Sequence, residues 1–142
     1  MPKVWLTIKG SLMDSGPEEA VEFVTEGTLQ RNEESVLLEY DESTLTGIEG
    51  VTTRLMIEGE TVTIERSGGL ETQLVFTPGS VFQSSLNSPA GRTDMSIFAT
   101  RVESYLQEKS GSLKLEYEMS MGDLFTVNKL DLSFRNMEER AN

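Results

Sequence analysis

Large apolar side chains fall on every second position through most of this chain. The clearest run has Leu113, Leu115, Tyr117, Met119 and Met121 alternating with Ser112, Lys114, Glu116, Glu118 and Ser120. A period of two sends the first set to one face of a strand and the second set to the other. One face is then buried and the other wet, as in an antiparallel sheet closed over a core. Read between turn signals, the alternation predicts about ten strands near 3–13, 20–30, 35–42, 51–58, 61–67, 71–77, 80–87, 93–107, 112–121 and 124–135. Every predicted connection is short, and short links join antiparallel neighbours.

Two hairpins have a register that can be read from residue types. Gly59-Glu60 puts Gly at the first central position, as a two-residue type II′ turn requires. Pairing Glu58 with Thr61 then sets Ile57 opposite Val62, Leu55 opposite Ile64 and Thr53 opposite Arg66. Gly122-Asp123 does the same for Met121 and Leu124, Tyr117 and Asn128, Leu115 and Leu130, and Leu113 and Leu132. A slip of one residue would carry either apolar set into water. The ambiguous stretch is Thr93 to Lys109. Met95, Ile97, Phe98, Val102, Tyr105 and Leu106 fit a long strand at first and a helical period later, so residues 100–108 stay open between the two. About ten antiparallel strands exceed what a flat open sheet usually holds, and closure removes its edges. The expected fold is all-β, a single antiparallel up-and-down barrel of about 8–10 strands over residues 1–142.

Particular residues also suggest a family. Tyr40-Asp41-Glu42-Ser43, Arg66-Ser67-Gly68, Ser88-Pro89-Ala90-Gly91 followed by Met95, and the Tyr117-to-Phe134 hairpin with Asn128 occur in that order. In this the chain resembles the YwiB-like bacterial proteins, a domain-of-unknown-function family. The resemblance implies a calycin-like β-barrel related in shape to lipocalins, and implies no activity. The chain departs from the family pattern at Leu86-Asn87-Ser88, where an aromatic is expected. It also lacks the Gly-x-Trp of true lipocalins, since Lys3 stands two residues before Trp5.

Composition narrows the chemistry. The chain has no cysteine and no histidine, which removes disulfides, thiolate metal sites, histidine-ligated metals and Ser-His-Asp triads. A net charge of −12, from 24 acidic and 12 basic residues, opposes binding to a phosphate backbone. The N-terminus enters a strand pattern without a long apolar stretch, so neither a signal peptide nor a membrane span is expected. With the missing cysteines, this points to the cytoplasm.

The polar residues that share inward faces are the candidate site. Tyr40 and Glu42 lie on the face of Val36 and Leu38, and Arg66 lies on the face of Val62 and Ile64. Thr53 falls opposite Arg66, and Tyr117 opposite Asn128. A buried charge is costly unless paired. Glu42 with Arg66 is therefore read as a structural ion pair at one barrel end, or the cluster as a set that orients a ligand in an apolar cavity. Met56, Met95, Met119 and Met121 are read as core filling or as an adaptable lining. No catalytic set, metal site or cofactor is expected: adjacent strand carboxylates such as Asp41 and Glu42 point to opposite faces, and only Glu42 is an inward acid. The leading expectation is a non-enzymatic barrel that binds a small, partly apolar molecule. The alternative is a structural or adaptor protein with a filled interior, using Val24, Val75 and Phe98 as an outer contact patch or a homo-oligomer seam.

Overall fold

The computed structural model describes residues 3–12, 21–41, 50–68 and 71–137. Within them the chain forms ten strands: β1 (Lys3–Leu12), β2 (Val21–Arg31), β3 (Ser35–Asp41), β4 (Thr52–Glu58), β5 (Thr61–Ser67), β6 (Glu71–Phe76), β7 (Val81–Ser88), β8 (Gly91–Leu106), β9 (Ser110–Met121) and β10 (Leu124–Asn136). Each strand pairs antiparallel with the next, and β1 pairs with β10 to close the barrel. The predicted strand ends at Met13, Ala20 and Glu42 lie outside the described residues.

The alternation decides which side chains are inside. Val4, Leu6 and Ile8 of β1 are buried, as are Leu55 and Ile57 of β4, Leu113 and Leu115 of β9, and Leu132 and Phe134 of β10. Both predicted hairpin registers are present residue for residue, from Ile57 against Val62 to Leu115 against Leu130. Gly59 and Gly122 have φ of 63° and 62°, while Glu60 and Asp123 do not have positive φ. That combination belongs to type II′ rather than type I′, which needs positive φ at both central residues.

Residues 100–106 are strand, not helix. The mixed period there comes from a β-bulge: Ala99 faces Tyr117, but Arg101 already faces Glu116. The extra residue, Thr100, donates its hydroxyl to the Glu116 carbonyl at 3.0 Å. One inserted residue reverses the parity of the strand. Met95, Ile97 and Ala99 are buried before it, and Val102 continues the inner face opposite Leu115 after it.

Charged residues organise the outer face into cross-strand rows. Glu22, Lys9, Asp131, Lys114 and Glu103 stand opposite one another on five neighbouring strands, with alternating sign. Glu39, Arg54 and Glu65 form a second row, with Arg54 3.8 Å from Glu39 and 3.9 Å from Glu65. Arg101 grips Glu103 through two nitrogens at 2.9 and 3.1 Å and reaches Glu116 at 3.2 Å. The hydrogen bond from Arg101 holds the Glu103 carboxyl below its usual range. Each exposed pair contributes little energy, but like charges opposite one another would penalise a slipped register.

The two barrel ends differ. At the end carrying the β2–β3 and β8–β9 turns, the Arg31 guanidinium donates to the Gln107 and Glu108 carbonyls and ties the turns together. Beneath it the interior is filled by residues such as Val36, Ile57, Val62 and Phe76, all nearly inaccessible. The other end carries the polar inward residues.

Candidate functional site

Register places three of the predicted residues in order and adds Thr72 as a fourth. Tyr40 of β3 faces Thr53 of β4, Thr53 faces Arg66 of β5, and Arg66 faces Thr72 of β6. All four follow the inward parity set by the core residues two positions away on each strand. Tyr40 and Thr53 are buried, while Arg66 and Thr72 are half-buried, so the row runs from the core toward the solvent. Glu42, the predicted partner of Arg66, lies outside the described residues.

Tyr117 and Asn128 pair on β9 and β10, on another sector of the wall. Asn128 donates its amide to the Thr126 hydroxyl at 2.9 Å, and both side chains are partly buried. The Tyr117 ring meets Phe76 of β6 edge-on, with centroids 4.8 Å apart and an interplanar angle of 62°. This contact spans the interior and closes the floor beneath the polar end. Burial pushes the Tyr117 phenol above its ordinary range, and the positive charge of Arg66 acts against that rise. Arg66 and Tyr117 therefore share one electrostatic environment although they sit on non-adjacent strands.

This coupling gives a titration prediction. A tyrosine whose folded pKa is raised adds stability below the unfolded value, about 10, and loses that contribution as pH rises through the folded value. Arg66→Met removes the opposing charge, so Tyr117 should ionise at higher pH than in the native chain. Alkaline ultraviolet difference titration, with Tyr117→Phe identifying its component among the three tyrosines, checks this. An unchanged Tyr117 curve would separate the two groups.

Beside Arg66 the wall is paired, and it opens farther along β6. Between β6 and β7 the backbone ladder has two pairs only, Glu71 with Asn87 and Thr72 with Leu86. Side chains bridge the strands beyond them: the Ser84 hydroxyl donates to the Gln73 carbonyl at 2.5 Å, and the Thr72 hydroxyl to the Ser85 carbonyl at 3.0 Å. Further along, the chain after β6 crosses to β8, where Gly79 N–H donates to the Ala99 carbonyl at 3.0 Å. A cleft of about 780 Å³ follows this seam. Its lining combines inward residues (Arg66, Thr72, Phe82 and Ser84) with outward ones, among them Arg54 and Arg92 and the carboxylates of Glu65 and Glu71.

Alternation identified the inward polar row but not the seam, because the period of side chains carries no information about which backbone groups find partners. Two placements differ from expectation. Met56 is not part of the interior; it is 36% exposed between buried Leu55 and Ile57. Val24 does not join Val75 and Phe98 in one patch, since β2 is four strands removed from both β6 and β8 in the barrel order. Among the described residues, no group of three or more acidic side chains is placed to hold a metal ion, and no helix is long and apolar enough to cross a membrane.

Comparison with known proteins agrees with this geometry. An uncharacterized β-barrel protein of Bacillus subtilis (strain 168), YwiB, is 26% identical over 120 residues, spanning 84% of this chain and 83% of its own length. The crystal structure of the ywiB protein from Bacillus subtilis matches with a TM-score of 0.84 at 21% identity, covering 95% of this chain and 92% of that one. The profile of a domain of unknown function, DUF1934, spans residues 6–133, from the first strand to the last. The closed ten-strand barrel and that near-complete match together make this chain a member of the DUF1934 family.

Proposed function

We propose that this barrel binds a small, partly apolar molecule carrying an anionic group, held at the Arg66 end and reached through the β6–β7 seam. The observation that carries this reading is the cleft of about 780 Å³ that brings Arg66 and Phe82 into one lining. Its size falls within the roughly 300–1,000 Å³ of small-molecule sites. The guanidinium offers five donors in a fixed fork, so Arg66 can serve a protein acceptor and still hold a carboxylate, phosphate or sulfonate. Phe82, half-buried, supplies an apolar surface for the remainder of the molecule. The Phe76–Tyr117 contact limits how deep that molecule goes, so the site is shallow and lies above a filled core. This is a calycin-like use of the barrel restricted to one end, and the residues around it point to binding rather than turnover.

The test uses anilinonaphthalene sulfonate, an apolar ring system with one fixed negative charge. The native protein should bind it saturably, with enhanced emission. Arg66→Met should weaken that binding about tenfold, the loss of one charge-assisted contact worth about 1.5 kcal/mol or more. Ser84→Leu, which fills the seam, should do the same at unchanged far-ultraviolet circular dichroism. Binding that survives both substitutions would overturn the assignment.

A further inference from the structure

We propose that the outer face of β1, β10, β9 and β8 carries a separate site, for a neutral oligosaccharide, in the groove between Trp5 and Tyr105. The groove encloses about 360 Å³ and shares no lining residue with the Arg66 cleft.

Strand parity makes the groove. Trp5 alternates with buried Val4 and Leu6, so the one tryptophan of the chain stands on the outer face, 37% exposed. Tyr105 lies beyond the Thr100 bulge and stands outward at 61% exposure. Two residues before it on the same face of β8, Glu103 is held by Arg101 at 2.9 and 3.1 Å. Between the two aromatics, Thr7 faces Ser133, Ser133 faces Ser112, and Ser112 faces Tyr105. Four strands thus present a row of three short hydroxyls ending on an aromatic ring, with Arg135 beside Trp5 as a further donor. The row continues into a neighbouring groove of about 250 Å³ that shares Thr7, Ser112 and Ser133. There Asp131 presents a buried carboxylate oxygen that has no hydrogen-bond partner among the described residues. Lys9 and Lys114 flank it on the neighbouring strands, and this oxygen is open to a donor from them, from water or from a ligand.

The chemistry selects the occupant. The β1–β10, β10–β9 and β9–β8 ladders are continuous here, so the groove offers no open backbone edge for an extended peptide to pair with. What it offers is two aromatic faces, a row of hydroxyls and a guanidinium, with the Asp131 carboxylate in the adjoining groove. A sugar chain presents the complement, rings with apolar faces and hydroxyls around their rims. Acidic polymers are disfavoured by the net charge of −12, which leaves a neutral saccharide.

Because Trp5 is the only tryptophan, its emission reports this groove alone. The native protein is titrated with neutral di- to tetrasaccharides built from glucose, galactose and N-acetylglucosamine. At least one should change the Trp5 emission saturably. Tyr105→Ala should weaken that sugar about tenfold, the upper range for one aromatic contact, and Ser133→Arg should abolish binding by filling the floor. Arg66→Met should leave it unchanged, which separates this site from the barrel-end site. No emission change with any sugar at 10 mM, or equal affinity in Tyr105→Ala, would overturn the proposal. A response to unstructured peptides but not to sugars would reassign the groove.

Discussion

Leu115→Ala is expected to lower the unfolding free energy by about 2–5 kcal/mol, seen as a lower urea midpoint at unchanged slope. Leu115 has no accessible surface. It sits between Leu130 of β10 and Val102 of β8, so truncation leaves a void that no neighbouring strand can close without breaking a ladder. The next residue is the control. As an outward residue by alternation, Glu116 should cost within about 0.5 kcal/mol when truncated. The structure raises that figure, because Glu116 accepts from Arg101 at 3.2 Å and stands opposite Lys129. A cost of up to about 1 kcal/mol suits a partly exposed pair of this kind. Leu115→Ala and Glu116→Ala shifting the midpoint equally would mean that the faces of β9 are misassigned.

The barrel was legible because one of its faces is dry. Wherever a strand has a buried face, alternation fixes both orientation and register, and hairpin glycines anchor the count. Legibility failed where a residue was inserted rather than exchanged. Thr100 looks like any outward threonine, yet by adding one position it turns the second half of β8 over and imitates a helical period. Met56 misled in another way: its size suggests the core, but its parity between Leu55 and Ile57 sends it outward. Parity was the better guide. The same rule places Trp5 outside, between Val4 and Leu6, although its hydrophobicity argues for burial. The inward row of Tyr40, Thr53 and Arg66 was predictable from three strands read separately. The β6–β7 seam was not, since it depends on where the backbone ladder stops and on the bond from Gly79 to Ala99 across the gap.

Two glycines on neighbouring strands should respond to the same substitution with opposite sign. Gly27 of β2 faces Val4 of β1 on the inner side of the wall. A methyl group there would lie 2.6 Å from the Leu6 Cδ1 and 2.7 Å from the Glu39 carbonyl oxygen. Leu6 is fully buried and has no free space to turn into, and Glu39 is held in the β2–β3 and β3–β4 ladders. Gly27→Ala therefore has to move backbone, and a loss of about 3 kcal/mol, the upper range for overpacking, is expected. At Gly10 of β1 the added methyl would meet Leu130 and the Lys129 carbonyl no closer than 4.0 Å, an ordinary contact. Gly10→Ala should gain about 0.4–1 kcal/mol, chiefly by restricting the unfolded chain. Chemical denaturation of the two single variants checks both signs, and a Gly27→Ala protein as stable as the native chain would mean that β2 and β3 do not approach this closely. The close approach also bears on the site. The Tyr40 Cβ would stand 3.3 Å from the new methyl, and Tyr40 leads the row that runs through Thr53 to Arg66. Gly27→Ala should thus weaken anilinonaphthalene sulfonate binding along with stability, while Gly10→Ala leaves it intact. The absence of a side chain at Gly27 is what lets β3 lie close enough to the wall for Tyr40 to stand at the head of that row.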